Sequence, residues 1–435
     1  MGIFMKIYKN INEWKLKKID DLFFLIGGGT PSTIIPEYWG GNIHWISIKE
    51  LTSKNSKSSE KMITKLGLKN SSSNLVKAGN IILGTRISVG ETLIHEKDVT
   101  INQDLKGLYL KNSNYNAIFF KFLISNNKKK LNDLSNGLTV KGIKNKDLKN
   151  FVLKYPDFIQ QNNIAKILSK QEEQIETIKR LIKNVEKRNQ YYSEKLLSGE
   201  LRLRKNEETG QVEFYENTEW KEEMVNGVLT KIPSDWVVNK VLEHISLTKG
   251  ISINSSLFNY ENKGFVFLRT GDVWEDSSSK KETVFFDGAI DEKYIKKEED
   301  YVACFEGFNK KINEGTIGLV TNTGEGIISS HLYKIKNKNI NGQYYSISLI
   351  KNINIQTLLM RHAVGSTVLS STKCLKDLEF SFPFKEEEFM LMEKILASEY
   401  QSYEQLKKLL PKEEKRFQWM LDNLLSGEYE VIDED

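Results

Sequence analysis

The chain has 435 residues, 39% of them hydrophobic and 10% aromatic, which is enough for two to four domains with real cores. A net charge of +5 is mildly basic and permits nucleic acid as a partner without demanding it. No run approaches the ~18 apolar residues of a membrane span. The opening MGIFMKIYKNINEW has no apolar core or cleavage site of a signal peptide. The two cysteines, Cys304 and Cys374, and the five histidines stand at no metal-ligand spacing, so a reduced, cytoplasmic, metal-free chain is expected.

In chain order, Trp14 opens a short amphipathic stretch. GGGTPSTIIPEYWGGNIHWISIKEL, LVKAGNIILGTRISVGET and VTINQDLKGLYL follow, and read as short strands between Gly, Asn and Asp turns. A helix is predicted over Ala117–Asn126. Lysines then crowd the chain (128–130, 141, 144, 146, 149 and 154), as either a solvated face or a phosphate-contacting surface. FVLKYPDF, an apolar run closed by proline, leads into a glycine-free segment from Gln160 to Leu197. Its apolar residues Ile164, Leu168, Ile175, Ile178, Ile182, Val185 and Leu196 recur at alternating steps of four and three, with Gln171, Asn189 and Tyr192 completing the seam. It ends in LLSGE.

A polar, charged joint over 201–231 precedes IPSDW, and the pattern restarts at Trp236. FVFLRTGDVWED, YVACFEGFNKKINEGTIGLV and GEGIISSHLYKI again read as strands, and a helix is predicted over Ile355–His362. LEFSFPFK repeats the proline-closed exit. A second seam then carries Met392, Leu396, Tyr403, Leu406, Leu410, Phe417, Met420 and Leu424, with polar breaks at Glu399 and Glu413, and LLSGE returns 228 residues after its first copy. A polar seam residue lowers stability but can fix register and partner. Pro411, inside the second seam, predicts a kink or a split.

The sequence therefore predicts an α/β (α+β) chain of two globular domains with mixed, irregular β-sheet, each followed by a long helix, the helices forming a coiled-coil pair. The boundaries are 1–157 for the first domain, 158–200 for its helix, 201–231 for a connector, 232–384 for the second domain and 385–435 for the second helix and tail. Constant edges around divergent interiors suggest one job for the helices and two ligands for the domains.

Catalytic patterns are missing. Gly27-Gly28-Gly29-Thr30 is not followed by Gly-Lys-Ser/Thr, and no strand–GxGxxG–helix unit, Asn/Asp-Pro-Pro-Tyr/Phe tetrapeptide or Gly-x-Ser-x-Gly elbow occurs. The chain reads as a binding module, without a catalytic residue or a cofactor of its own.

The ordered pieces GGGTPST…EYWGGNIHWISIKEL, NLVKAGNIILGTRISVGET, INQDLKGL, SNGLTVKGIKNKDL and IPSDW, with the two LLSGE-terminated helices, resemble the DNA-specificity subunit of type I restriction-modification systems over nearly the whole chain. The usual Pro-Leu-Pro-Pro before each helix is here reduced to Lys154-Tyr155-Pro156 and Phe382-Pro383-Phe384. The resemblance implies two target-recognition domains, each reading half of a split site on double-stranded DNA. It implies an antiparallel helix pair of pseudo-twofold symmetry that sets the gap between the halves. Its implied partners are two modification subunits, which bring S-adenosylmethionine and methylate adenine, and restriction subunits that use ATP and magnesium.

Base edges are read by Arg or Lys on guanine and Asn or Gln on adenine. Loop positions in the matching motifs offer Lys49, Arg86, Gln103 and Lys141 in the first domain and Arg269, Lys310, Lys311 and His331 in the second. Gln103 could equally pair with backbone, and Arg269 could equally close an ion pair with Asp272. Trp39, Trp45 and Trp274 fit packing better than base stacking. The rival readings are a specificity partner of another restriction-modification type, a coiled-coil scaffold that binds no DNA, and a self-sufficient nuclease, which the missing catalytic motifs disfavour.

Overall fold

The computed structural model describes residues 5–9, 13–52, 61–135, 142–273, 282–297, 300–307, 319–321, 324–338, 347–348, 350, 359, 369–370 and 374–433. Of the candidates above, Lys141, Lys310, Lys311 and Trp274 lie outside these residues, as does nearly all of the helix predicted over Ile355–His362. The chain forms two compact units. One joins Met1–Arg180 to Lys408–Asp435, and the other is Leu181–Lys407.

In the first unit, strands Phe23–Gly27, Leu105–Leu110, Ile81–Gly84 and Thr92–Ile94 make an antiparallel sheet in that spatial order. A second sheet runs Lys61–Ile63, Trp39–Ile46, Val99–Ile101, Asn74–Val76, with the central pair parallel. Even an antiparallel sheet must bury one face. Helix Ala117–Asn126, at the bounds the sequence predicts, supplies the cover for the first sheet. Asn116 caps this helix by accepting from the Phe119 amide at 2.9 Å. Its Phe119, Phe120, Leu123 and Ile124 bury against Phe23, Ile81 and Leu108.

The second unit repeats this topology strand for strand. Ile245–Lys249, Leu332–Asn337, Tyr301–Cys304 and Leu319–Thr321 form the first sheet. Phe285–Phe286, Phe265–Leu268, Gly326–Ile328 and Ile295–Lys296 form the second, again with a parallel central pair. The interiors that diverge in sequence thus share one chain path. Insertions and shortened strands hide it, because they slide the offset between equivalent residues.

The long helices are Phe158–Leu197 and Glu386–Leu424. Within the first unit Ile164, Leu168, Ile175 and Ile178 are buried, as are Met420 and Leu424, while Phe417 is half-buried and Leu410 is partly exposed. Within the second, Val185, Leu196, Met392 and Leu396 are buried and Ile182, Tyr403 and Leu406 are half-buried. The polar breaks in the two seams answer one another. Gln171 Nε2 donates to Glu413 Oε2 at 2.7 Å, and Asn189 Nδ2 donates to the Glu399 carbonyl at 3.4 Å beside an Arg188–Glu399 ion pair at 2.6 Å. In each unit the paired numbers rise along one helix and fall along the other, so the segments run antiparallel. The second helix continues through Pro411 instead of splitting there. The ring sits on the exposed face, where water can satisfy the carbonyl that the missing N–H leaves free.

The doubled LLSGE has a local cause. Gly199 and Gly427 stop their helices in the left-handed conformation, φ +74° and +86°. Both lie against tryptophan rings. A Cβ on Gly199 would meet Pro233 at 2.3 Å and Trp236 at 3.2 Å, and one on Gly427 would meet Trp14 at 3.1 Å. The end of the first helix therefore packs on the tryptophan that opens the second unit. The end of the second packs on the tryptophan that opens the first.

A strand follows each glycine and is held by the start of a long helix. Tyr429–Asp433 pairs with Met5–Lys9, and Gln160 grips it, donating from Nε2 to the Val431 carbonyl at 3.1 Å and accepting the Val431 amide at 3.0 Å. Leu201–Lys205 pairs with Val212–Glu216, and Glu388 takes the place of Gln160. Here the grip is ionic. Arg202 donates to Glu388 at 2.7 and 2.5 Å and to Asp235 at 2.8 and 2.9 Å, with the Arg202 and Glu388 side chains only 6% and 5% exposed. Burial pulls the Arg202 guanidinium down, but its bonds to Glu388 and Asp235 outweigh this and hold it above its ordinary pKa. The segment read as a polar connector therefore carries two hairpins. The second, Trp220–Val225 with Val228–Pro233, turns on Asn226-Gly227, both at positive φ.

Candidate nucleic-acid interface

At one edge of the first unit, several chain crossings converge. The Asn102 amide donates to the Ile46 carbonyl at 2.9 Å, and the Thr85 amide to the Asp104 carbonyl at 2.9 Å. The Leu51 side chain packs where a Cβ on Gly84 would stand, and Arg86 bridges to Gly142. These contacts bring Lys49, Arg86 and Gln103 onto one edge. Lys49 lies in the short helix Ile48–Thr52, and its amide donates to the Ser47 hydroxyl at 3.3 Å. Glu50 accepts the Ser47 amide at 2.9 Å. Arg86 is half exposed and stands 3.6 Å from Asp104, whose other carboxylate oxygen accepts from Asn102 at 3.0 Å. Gln103 Oε1 accepts the Thr30 hydroxyl at 2.6 Å, which leaves its amide NH₂ for an outside acceptor.

The second unit builds the same edge from other side chains. The Ser329 amide donates to Leu268, as Asn102 does to Ile46. The Ser252 hydroxyl donates to Ser330 at 2.8 Å, in the place of the Thr30–Gln103 contact. Arg269 stands where Ser47 does, and Asp272 accepts its amide at 2.8 Å as Glu50 accepts that of Ser47. The Arg269 guanidinium adds two bonds to Asp272, at 2.7 and 2.9 Å, and one to the Glu282 carbonyl at 3.0 Å. The bond to Asp272 raises its pKa above the ordinary value. His331 is exposed at the position of Asp104, and its carbonyl accepts the buried Cys304 thiol.

The candidates thus differ in how committed they are. Gln103 keeps donors to spare, Arg86 is loosely held and Arg269 is locked to Asp272. Trp39 and Trp45 donate their indole N–H groups to Ser32 and Gly29 and pack edge to face, as turn and core residues do. In the lysine-rich stretch Lys128 pairs with Glu91 and Lys149 with Asp20. Sequence reasoning missed Thr30, Asp104, Ser252 and Ser330. Thr30, Asp104 and Ser330 lie inside stretches quoted above, but only the shared chain path shows that they occupy matched positions. No group of three metal-ligating side chains, and no helix long and apolar enough to cross a membrane, occurs among the described residues.

Comparison with known proteins agrees with this architecture. Residues 11–187 match the profile of the family described as "Type I restriction modification DNA specificity domain". The chain is 26% identical over 378 residues to the type I restriction enzyme MjaIX specificity subunit of Methanocaldococcus jannaschii, spanning 84% of this chain and 82% of that one. It is 29% identical over 168 residues to the EcoR124I/EcoR124II specificity subunit of Escherichia coli, over 36% of this chain and 40% of that one. The crystal structure of the type I restriction-modification S subunit from M. genitalium superposes with a TM-score of 0.64 at 17% identity, covering 95% of this chain and 97% of that one, and so shares its fold.

Proposed function

We propose, for a chain that belongs with the type I restriction-modification DNA-specificity subunits, that it reads a bipartite site on double-stranded DNA for such a complex and performs no chemistry itself. The observation that carries this is the edge built twice on one chain path with different side chains: Lys49, Arg86 and Gln103 in one unit, Arg269, Ser330 and His331 in the other. One scaffold with two chemistries is what reading two unlike half-sites needs. The recognition domains are residues 1–157 and 232–384. The helices from 158–200 and 385–435 set the gap between half-sites, joined through 201–231. A 40-residue helix spans about 60 Å, ample against the ~34–36 Å of one DNA turn.

Two modification subunits bind the complex, bring S-adenosylmethionine and methylate adenine at the site this chain selects. Restriction subunits supply ATP- and magnesium-dependent cleavage, and the assembly works on DNA in the cytoplasm. The test is a modified-base map of the host genome with and without the gene. Loss of N6-methyladenine at one split motif of fixed gap is the expected result. An unchanged map, with the modification subunit expressed, would refute it.

A further inference from the structure

Three non-glycine residues among those described have positive φ: Asn226, Asn262 and Ile87. Asparagine tolerates the left-handed region, but a β-branched residue there is an outlier. Ile87, at φ +62°, is also 62% exposed, so no core packing offsets its strain. The loop gives it no alternative. The Gly84 amide donates to Glu91 at 2.8 Å and Gly90 to Gly84 at 3.0 Å, while Ile143 donates to Thr85 at 3.0 Å and Ser88 to Arg86 at 2.6 Å. Gly90 lies against Lys128, where a Cβ would come within 2.7 Å of backbone.

Nothing in the fold asks for isoleucine at this point. The matched residue of the second unit is Gly307, three residues after Cys304, which pairs with Leu332 as Gly84 pairs with Leu105. Strained residues held by an over-determined backbone mark sites where the side chain itself is used. Ile87 adjoins Arg86 on the edge that also carries Lys49 and Gln103. Resting on the reading of this edge as a DNA surface, we propose that Ile87 is a specificity-determining residue of the first unit. It makes the apolar contact to a base of its half-site, for which the thymine methyl group is the matching chemistry.

The test combines modified-base maps from hosts carrying the full-length wild type, Ile87→Asn or Ile87→Gly with melting temperatures of the purified full chains. Both substitutions suit a left-handed backbone, so melting temperatures no lower than wild type are expected. Methylation at the wild-type motif should fall at least tenfold, with other base pairs accepted at one position of one half-site. An unchanged motif and occupancy in both variants overturns the proposal. So does a lower melting temperature in both, which would make Ile87 a structural residue. A wild type that yields no methylated split motif would instead bring down the DNA-reading function itself, whatever the variants do.

Discussion

Arg202→Met tests the ionic grip in the second unit. The substitution keeps the aliphatic stem and removes a guanidinium whose charge serves both Glu388 and Asp235. Glu388, 5% exposed, would keep only a 3.4 Å bond from the Leu203 amide. Stranding one partner of a buried pair costs about 3–5 kcal/mol. Asp235 is 37% exposed and turns to water, so its share is about 0.5–1 kcal/mol. Arg202→Met should therefore destabilise the second unit by about 4 kcal/mol. Glu388→Gln alone leaves Arg202 its two bonds to Asp235 and should cost about 2 kcal/mol. The double variant buries no charge and gives the second unit the same neutral helix-start residue that Gln160 supplies in the first. It should lie within about 1.5 kcal/mol of wild type, because removing a buried pair whole is often neutral. The assay is urea unfolding of the full chain, with hydrogen exchange at the Leu201–Lys205 and Val212–Glu216 amides to assign the transition. Since the units can unfold separately, a single global free energy would mislead. A cost below 1 kcal/mol for Arg202→Met, or a double variant as unstable as the two singles summed, would refute the reasoning.

Further expectations follow from the same geometry. Gly427→Ala puts a methyl group on a left-handed residue against the Trp14 ring and should cost about 1–2 kcal/mol, with the loss appearing as faster exchange in Tyr429–Asp433. Arg202 holds the Asp235 carboxyl below its usual range, so the unfolded chain binds the proton first as pH falls. The stabilisation is complete above about pH 4–5 and is lost as pH drops through the folded carboxyl's lowered range. Asp235→Asn should flatten that acid limb of the unfolding curve, and an unaltered limb would contradict the assignment. Arg86→Ala should relax one base position by about 1–3 kcal/mol if it reads a base. If it contacts phosphate, binding should weaken equally on all sequences and the salt slope should fall by about one. A full complex that binds its site unchanged in both respects would remove Arg86 from the interface.

Much of the scaffold was legible because it obeys local rules. The heptad seams, the helix at Ala117–Asn126 and the glycine stops at Gly199 and Gly427 follow from periodicity and backbone preference alone. The Asn226-Gly227 hairpin signal was equally local, yet the surrounding charge made the segment read as a joint. The split at Pro411 did not occur, because the cost of an interior proline depends on whether its turn faces water, and that is a tertiary fact. The matched interiors were hidden for another reason. Topology is kept by hydrogen-bond ladders that any strand-forming sequence can supply, so Phe23–Gly27 and Ile245–Lys249 share a role with little shared spelling. The candidate interface was half legible. Arg86 and Gln103 could be named as chemically able, but the commitment of Arg269 to Asp272, the holding of Gln103 by Thr30 and the strain at Ile87 exist only in three dimensions.

The first unit is assembled from segments on both sides of the other unit, and this sets a timetable for synthesis. Its core needs Met420, Leu424, Leu425 and Val431, which are translated after the whole of the other unit. The other unit is one continuous stretch that ends at Lys407, before any of these residues is made. The part translated first is thus the part finished last. Until then its Trp14 and the Ile164–Leu168 face lack the part of their core that Met420, Leu424, Leu425 and Val431 supply. A stop codon placed just after Lys407 would therefore spare the whole sequence of the later-made unit and cripple the reader encoded hundreds of codons upstream.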